Sequence, residues 1–218
     1  CDSFRRKNYC SSNQLIHFFS QAIVNYKSTG ALAPSSRSLA TCMTKSMSCI
    51  KNQRILEIGC GTGVVTKAIL DKLRCGDEFH IVELNSVFCQ NIKSKIIVPF
   101  EGLNSSIKIE LHNKSIRTVS IPGEFDTIIC GLPFNNFELE VVNEIFRIMF
   151  GLLKNGGELV YFEYLGARAF KTLLGTSSLR TRTRQRTKDI NRRILEHDGM
   201  SETVWRNIPA CRVVRLRV

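Results

Sequence analysis

The sequence predicts an α/β fold in which a mostly parallel sheet is wrapped by helices on both faces, and three observations carry that prediction. Strand-like and helix-like apolar stretches alternate from residue 54 to residue 164, the pattern left by a parallel sheet with crossover helices. A glycine-rich turn, ILEIGCGTG at 55–63, stands between the first strand and the first helix of that series. The 218 residues, 43% hydrophobic and 23% charged, suffice for one domain with a full core.

Taken in order, QLIHFFSQAIVNY at 14–26 places Leu15, Phe18, Phe19, Ala22, Ile23 and Tyr26 at three-and-four spacing, which describes an amphipathic helix. Its apolar face either caps the core or lies in a membrane interface, where Arg5, Arg6, Lys7 and Lys27 would flank it. Gly30 and Pro34 end that helix, and Ser35 or Ser36 can cap a second over 37–47. Strands are expected over 54–58, 79–83, 107–111, 125–130 and 158–164, and helices over 64–73, 85–97 and 136–153. Two strand-like runs, 201–206 and 211–218, close the chain as an antiparallel pair at the sheet edge. The domain reading is an N-terminal amphipathic segment over 1–50 and one α/β domain over 51–218.

The formal charge of +12 favours a polyanionic partner, either nucleic acid or an acidic membrane surface. Nine Lys and Arg residues within 168–193 face a single acid, Asp189, so the segment is either a solvated insertion or an anion-binding loop, and the one-sided charge favours the second. The nine cysteines form no C-x-x-C pair and no Cys/His cluster, so buried thiols in a reducing compartment are expected, with no metal centre. No run of 18 apolar residues occurs, so a spanning helix is not expected and the compartment reads as the cytoplasm.

A nicotinamide-binding loop would read G-x-G-x-x-G, but here Gly59, Gly61 and Gly63 alternate, and Val64 stands where the third glycine of that pattern belongs. With Glu57 two residues before Gly59, the loop resembles motif I of class I S-adenosylmethionine-dependent methyltransferases. Glu83 lies 24 residues beyond Gly59 at the end of the next strand, the place for an acid that binds ribose hydroxyls. The resemblance implies S-adenosylmethionine as cofactor, held by Glu57, Gly59, Cys60, Gly61, Thr62 and Gly63 and by Glu83 with Leu84. It also implies a seven-stranded Rossmann-like sheet. After the third strand that family often has an Asp for the adenine amine, whereas this chain reads LHNKSI with Lys114 about there. A lysine cannot accept that bond; either Asn113 or Ser115 takes it, or cofactor binding is weakened or lost.

The acceptor is addressed by GLPFNN at 131–136, after the strand FDTIIC. Enzymes that methylate base amines begin this motif with a side chain that orients the amine, and they stack the flipped base on its aromatic. Gly131 has no side chain, while Phe134 offers a face for stacking or for a cation. Together GALAPSSRSLA at 30–40, LEIGCGTGVVTKAIL at 56–70, CGLPFNNF at 130–137 and VWRNIPACRVVRL at 204–216 resemble bacterial phospholipid N-methyltransferases, over about residues 14–218. The resemblance implies stepwise methylation of phosphatidylethanolamine at the inner face of the cytoplasmic membrane. Anionic lipid would then be met by the N-terminal helix and the loop 168–193.

On that resemblance Gly131, Leu132, Pro133, Phe134 and Tyr164 form the catalytic surface, with Phe137 and Tyr161 in the core. Pro34, Ser35 and Ser36 would line the methionine end of the cofactor or the lipid phosphate. The base that deprotonates the ammonium is Glu163 or water. Two other readings stay open: an rRNA adenine dimethyltransferase, which has N-L-P-Y at the place of GLPF, and a silent scaffold that binds membrane or RNA through its arginines.

Overall fold

The computed structural model describes residues 36–47, 52–104, 106–134, 137–165, 188 and 192–218. The chain divides at Pro34, and every described residue belongs to the unit Ser35–Val218. The helix expected over 14–26 therefore lies outside the described residues, as do Ser35 and most of 168–193.

Helix α1, Arg37–Met43, starts where the Ser36 hydroxyl accepts the Leu39 amide at 3.1 Å, satisfying one of the N–H groups that a helix start leaves open. Its Leu39, Ala40, Cys42 and Met43, grouped by sequence with the N-terminal segment, sit in the main core cluster. Strand β1 is Arg54–Ile58, α2 Val64–Leu70 and β2 Glu78–Val82. Helix α3, Ser86–Ile92, is capped by Asn85, whose side-chain oxygen accepts from Val87 and Phe88. The single helix expected over 85–97 continues instead through a π-helical turn, Lys93–Ile97, into a short α4, Val98–Glu101. Pro99, in the first turn of α4, has no N–H for the carbonyl of Lys95, and the wider turn absorbs that lost bond.

The remaining elements are β3 Lys108–His112, β4 Phe125–Cys130, α5 Leu139–Gly151, β5 Leu153–Tyr164, β6 Met200–Val204 and β7 Cys211–Arg217. Strand β5 begins five residues before the expected 158 because Leu153 already pairs with Phe125 ahead of a register shift. All seven strands join one sheet in the order β3-β2-β1-β4-β5-β7-β6, with β7 antiparallel to both neighbours and the first five strands parallel. The predicted architecture is therefore the observed one.

One face of the sheet, through Ile55, Phe79, Ile81, Ile129, Val160 and Phe162, packs on α1, α2 and α3. The other face carries Tyr161, which meets Phe146 of α5 edge-on with ring centroids 5.1 Å apart. No helix among the described residues is long and apolar enough to cross a membrane. Registers decide where a site can form. Ile58 pairs with both Val82 and Cys130, and Val82 pairs with His112, so β1 to β4 end on one line and their following loops lie side by side.

Candidate active site

The glycine loop and the GLPF turn interlock at that edge. Gly131 donates its amide to the Ile58 carbonyl at 2.7 Å, and a Cβ placed on Gly131 would stand 2.5 Å from the Gly59 carbonyl oxygen. In return, a Cβ on Gly59, whose φ is +75°, would stand 2.8 Å from the Leu132 side chain. The side chain missing from position 131 is thus explained by backbone approach: any other residue there would push the two loops apart.

Two acids bracket the loop and are buried to 1% and 2% exposure, Glu57 and Glu83 respectively. Glu83 Oε2 accepts the Gly61 amide at 3.1 Å, its Oε1 accepts the Asn85 amide at 2.8 Å, and the Cys60 thiol lies 3.8 Å from Oε2. Burial raises the Glu83 carboxyl above the ordinary carboxylate range, against the pull of those amides. Glu57 Oε2 accepts the Thr66 hydroxyl at 2.8 Å, while its Oε1 is buried with no hydrogen-bond partner. Burial pushes the Glu57 carboxyl up to about 8, with the Thr66 bond opposing and the charge of Glu83 adding. A buried carboxyl group with one idle oxygen is poised to give up its proton to meet a cation.

Beyond β3, Asn113 Nδ2 donates to the carbonyls of Glu83 and Leu84, at 3.0 Å each, which fixes the amide with Oδ1 directed elsewhere. Ser115 is engaged in its own turn, its hydroxyl accepting the Arg117 amide at 3.3 Å, and Lys114 is exposed. Of the two substitutes weighed for the missing Asp, Asn113 is the one that also holds the Glu83–Leu84 backbone.

At the far side of the same edge, Asn207 Oδ1 accepts the Ser36 amide at 2.9 Å, while its Nδ2 donates to the Pro209 carbonyl at 2.7 Å and to Cys211 Sγ at 3.0 Å. Cys211 pairs across the sheet with Tyr164, so Ser36, Asn207, Cys211 and Tyr164 form one connected group. Burial pushes the Tyr164 hydroxyl up to about 12. The turn between β6 and β7 therefore lies at the same sheet edge as the glycine loop. Its Trp205 and Ile208 are 77% and 79% exposed, with Arg206 between them.

Three expectations change. The ring of Phe134 is buried, its centroid 5.0 Å from Phe146 and 5.8 Å from Tyr161, so it is packed as core with Phe137 and presents no open face in this arrangement. Glu163 is bound to Arg212 at 3.2 Å in a β5–β7 cross-strand pair, which accounts for it structurally. Arg193, counted among the anion-binding residues, is buried and stacks its guanidinium 4.1 Å over Phe146. Sequence reasoning missed Thr66 and Asn207. Thr66 faces Glu57 from the first turn of α2, and Asn207 lay inside the tail motif without any sign that it reaches Ser36.

Comparison with known proteins gives the same reading. Residues 55–157 match the family described as methyltransferase domain. The matched segment spans just under half of the chain, and the fold is that of class I S-adenosylmethionine-dependent methyltransferases. No curated protein matches the sequence. Among solved structures, the fold is similar to that of the O-methyltransferase TomG from Streptomyces achromogenes, with TM-score 0.57 and 15% identity, covering 86% of this chain and 82% of that one. It is also similar to the N-methyltransferase NodS from Bradyrhizobium japonicum WM9, with TM-score 0.54 and 15% identity over 83% of this chain and 93% of that one. An O-methyltransferase from Thermotoga maritima superposes with TM-score 0.55 at 12% identity, over 89% of this chain and 70% of that one. The residues of the edge fit the cofactor: the idle Glu57 oxygen suits its ammonium, and the interlocked glycine loop brings backbone close.

Proposed function

We propose that the enzyme methylates the amine of a phospholipid headgroup, phosphatidylethanolamine or a partly methylated derivative, at an anionic membrane surface. The observation that carries this reading is the β6–β7 turn, which exposes Trp205 and Ile208 around Arg206 at the same sheet edge as the glycine loop. An indole, a branched alkyl chain and a guanidinium suit the boundary between headgroups and acyl chains, with the Arg206 charge on lipid phosphate. Gly131 agrees with this choice. Its close approach to Gly59 leaves no side chain to orient a base amine, and an ethanolamine headgroup needs none.

Cofactor binding follows from the groups already placed. Glu57 Oε1 would take the ammonium of the methionine moiety, Glu83 would share its remaining lone pairs with the ribose hydroxyls, and Asn113 Oδ1 would accept the adenine amine. S-adenosylmethionine supplies a methyl on a cationic sulfur, which leaves as a neutral thioether when a nucleophile takes the methyl. The protein's part is alignment: Leu132, wedged on Gly59, and Pro133 beside it fix the wall past which the amine approaches. The amine loses its proton to water before attack, since Glu163 is engaged by Arg212.

Labelled cofactor offered in parallel to phosphatidylethanolamine vesicles, ornithine-lipid vesicles and ribosomal RNA tests the reading. The expected result is label in phosphatidylethanolamine, reduced when Trp205 and Ile208 are both changed to Ser. Label found in RNA alone contradicts it.

A further inference from the structure

On the sheet face opposite the glycine loop's helices, β2 and the edge strand β3 bring together three side chains that no sequence pattern singled out. His80 pairs in register with Glu110, and His112 lies two residues further along β3, so all three project from the same face. Their facing atoms form a nearly equilateral triangle. His80 Nδ1 is 3.3 Å from His112 Nε2 and 3.6 Å from Glu110 Oε2, and His112 Nε2 is 3.7 Å from Glu110 Oε2. A point about 2.1 Å from all three atoms lies inside that triangle, which is the Zn–N and Zn–O distance. The two imidazole planes differ by only 4°, with centroids 5.6 Å apart and the 3.3 Å nitrogen contact between them. The rings therefore meet edge to edge in nearly one plane, in which both nitrogen lone pairs lie.

We infer that His80, Glu110 and His112 form a divalent transition-metal site of the zinc type, in which two imidazoles and one carboxylate leave a further position for water. Outer groups are in place. His80 Nε2 lies 3.7 Å from Glu78 Oε2, the carboxylate that orients a metal-bound histidine, and Glu78 is itself held by Arg54 at 2.7 Å. Phe125 meets the His80 ring edge-on at 5.3 Å and keeps it from turning away. Two cations border the cluster: Lys108 binds the other Glu110 oxygen at 2.8 Å, leaving Oε2 to the triangle, and Arg54 Nη2 lies 3.4 Å from His80 Nε2. Metal binding requires the His80 proton on Nε2, directed at Glu78 rather than at Arg54. The site borders the cofactor edge, since the His112 carbonyl accepts the Glu83 amide at 3.0 Å and Asn113 follows directly. A bound ion pins edge strand β3 to β2 beneath the loops that hold the cofactor.

Chelator-treated protein titrated with zinc tests the inference by equilibrium dialysis and thermal unfolding. One ion should bind per chain, and saturation at a hundredfold excess over Kd should raise Tm by roughly 5–10 °C. His112→Ala and Glu110→Gln, both at partly exposed positions, should lower the affinity at least tenfold. Cobalt in place of zinc distinguishes this site from the free thiols: visible d–d bands without a thiolate charge-transfer band support the triad. Should His112→Ala not fold, Glu110→Gln and the cobalt spectrum still decide. Affinity equal in wild type and Glu110→Gln, a thiolate band, or no binding at micromolar zinc would each overturn the site.

Discussion

At the edge where the strands begin, Asp77 accepts hydrogen bonds on both oxygens, from the Gln53 amide at 2.9 Å and the Arg74 amide at 2.8 Å. At the edge where they end, Glu57 accepts one bond, from Thr66, and keeps its other oxygen buried and idle. Both carboxylates are at most 2% exposed, so the contrast is one of pairing and not of burial. Asp77 completes the fold by stapling two loops. Glu57 is a cost to the empty fold, of the kind that persists where a ligand supplies the missing partner.

Four substitutions or pH changes break or sharpen this contrast. The largest effect belongs to Gly131→Ala, whose Cβ would sit 2.5 Å from the Gly59 carbonyl oxygen. Parting the two loops should weaken S-adenosylmethionine binding more than about a hundredfold in calorimetry and lower stability by roughly 1–3 kcal/mol. Asp77→Ala should do the opposite: two orphaned amides cost about 2–4 kcal/mol in denaturant unfolding, with cofactor Kd unchanged in the folded protein.

Glu57→Gln separates the two roles of one residue. It should weaken cofactor binding by roughly 10–100-fold, the worth of a hydrogen bond to a charged group. It should also alter the pH dependence of the empty protein. Because the folded carboxyl titrates near 8 and the ordinary value is 4.5, the folded state holds its proton more tightly than the unfolded chain. That contribution is fully present below the ordinary value and is lost as pH rises through about 8, so Glu57→Gln should flatten the decline. Thermal unfolding at the two ends of this window measures the slope. The smallest effect is expected at Trp205→Ala, which should cut vesicle binding roughly tenfold and leave cofactor affinity alone.

The parts of the molecule legible in sequence are those set by local pattern. Alternating apolar runs located all seven strands to within a few residues, save the start of β5, and the glycine spacing located the tight turn between β1 and α2. Contacts between distant segments left no local mark. Asn207 binds Ser36 across 171 positions, and His80 meets His112 across 32, because sheet order and not spacing brings them together. Gly131 was legible as an oddity, but its cause, the Gly59 carbonyl, is a matter of backbone distance that only the folded chain reveals. Phe134 misled for a related reason: a strand end can turn an aromatic outward to a cleft or inward to Phe146, and periodicity does not distinguish the two.

The most direct test of the glycine loop with Glu57 as the cofactor site is calorimetric titration with S-adenosylmethionine at about pH 6.5, repeated in buffers of different ionisation enthalpy. The predicted result is one site per chain with close to one proton released by wild type and almost none by Glu57→Gln. Binding without proton release that Glu57→Gln leaves unchanged, or no binding at millimolar cofactor, would contradict it.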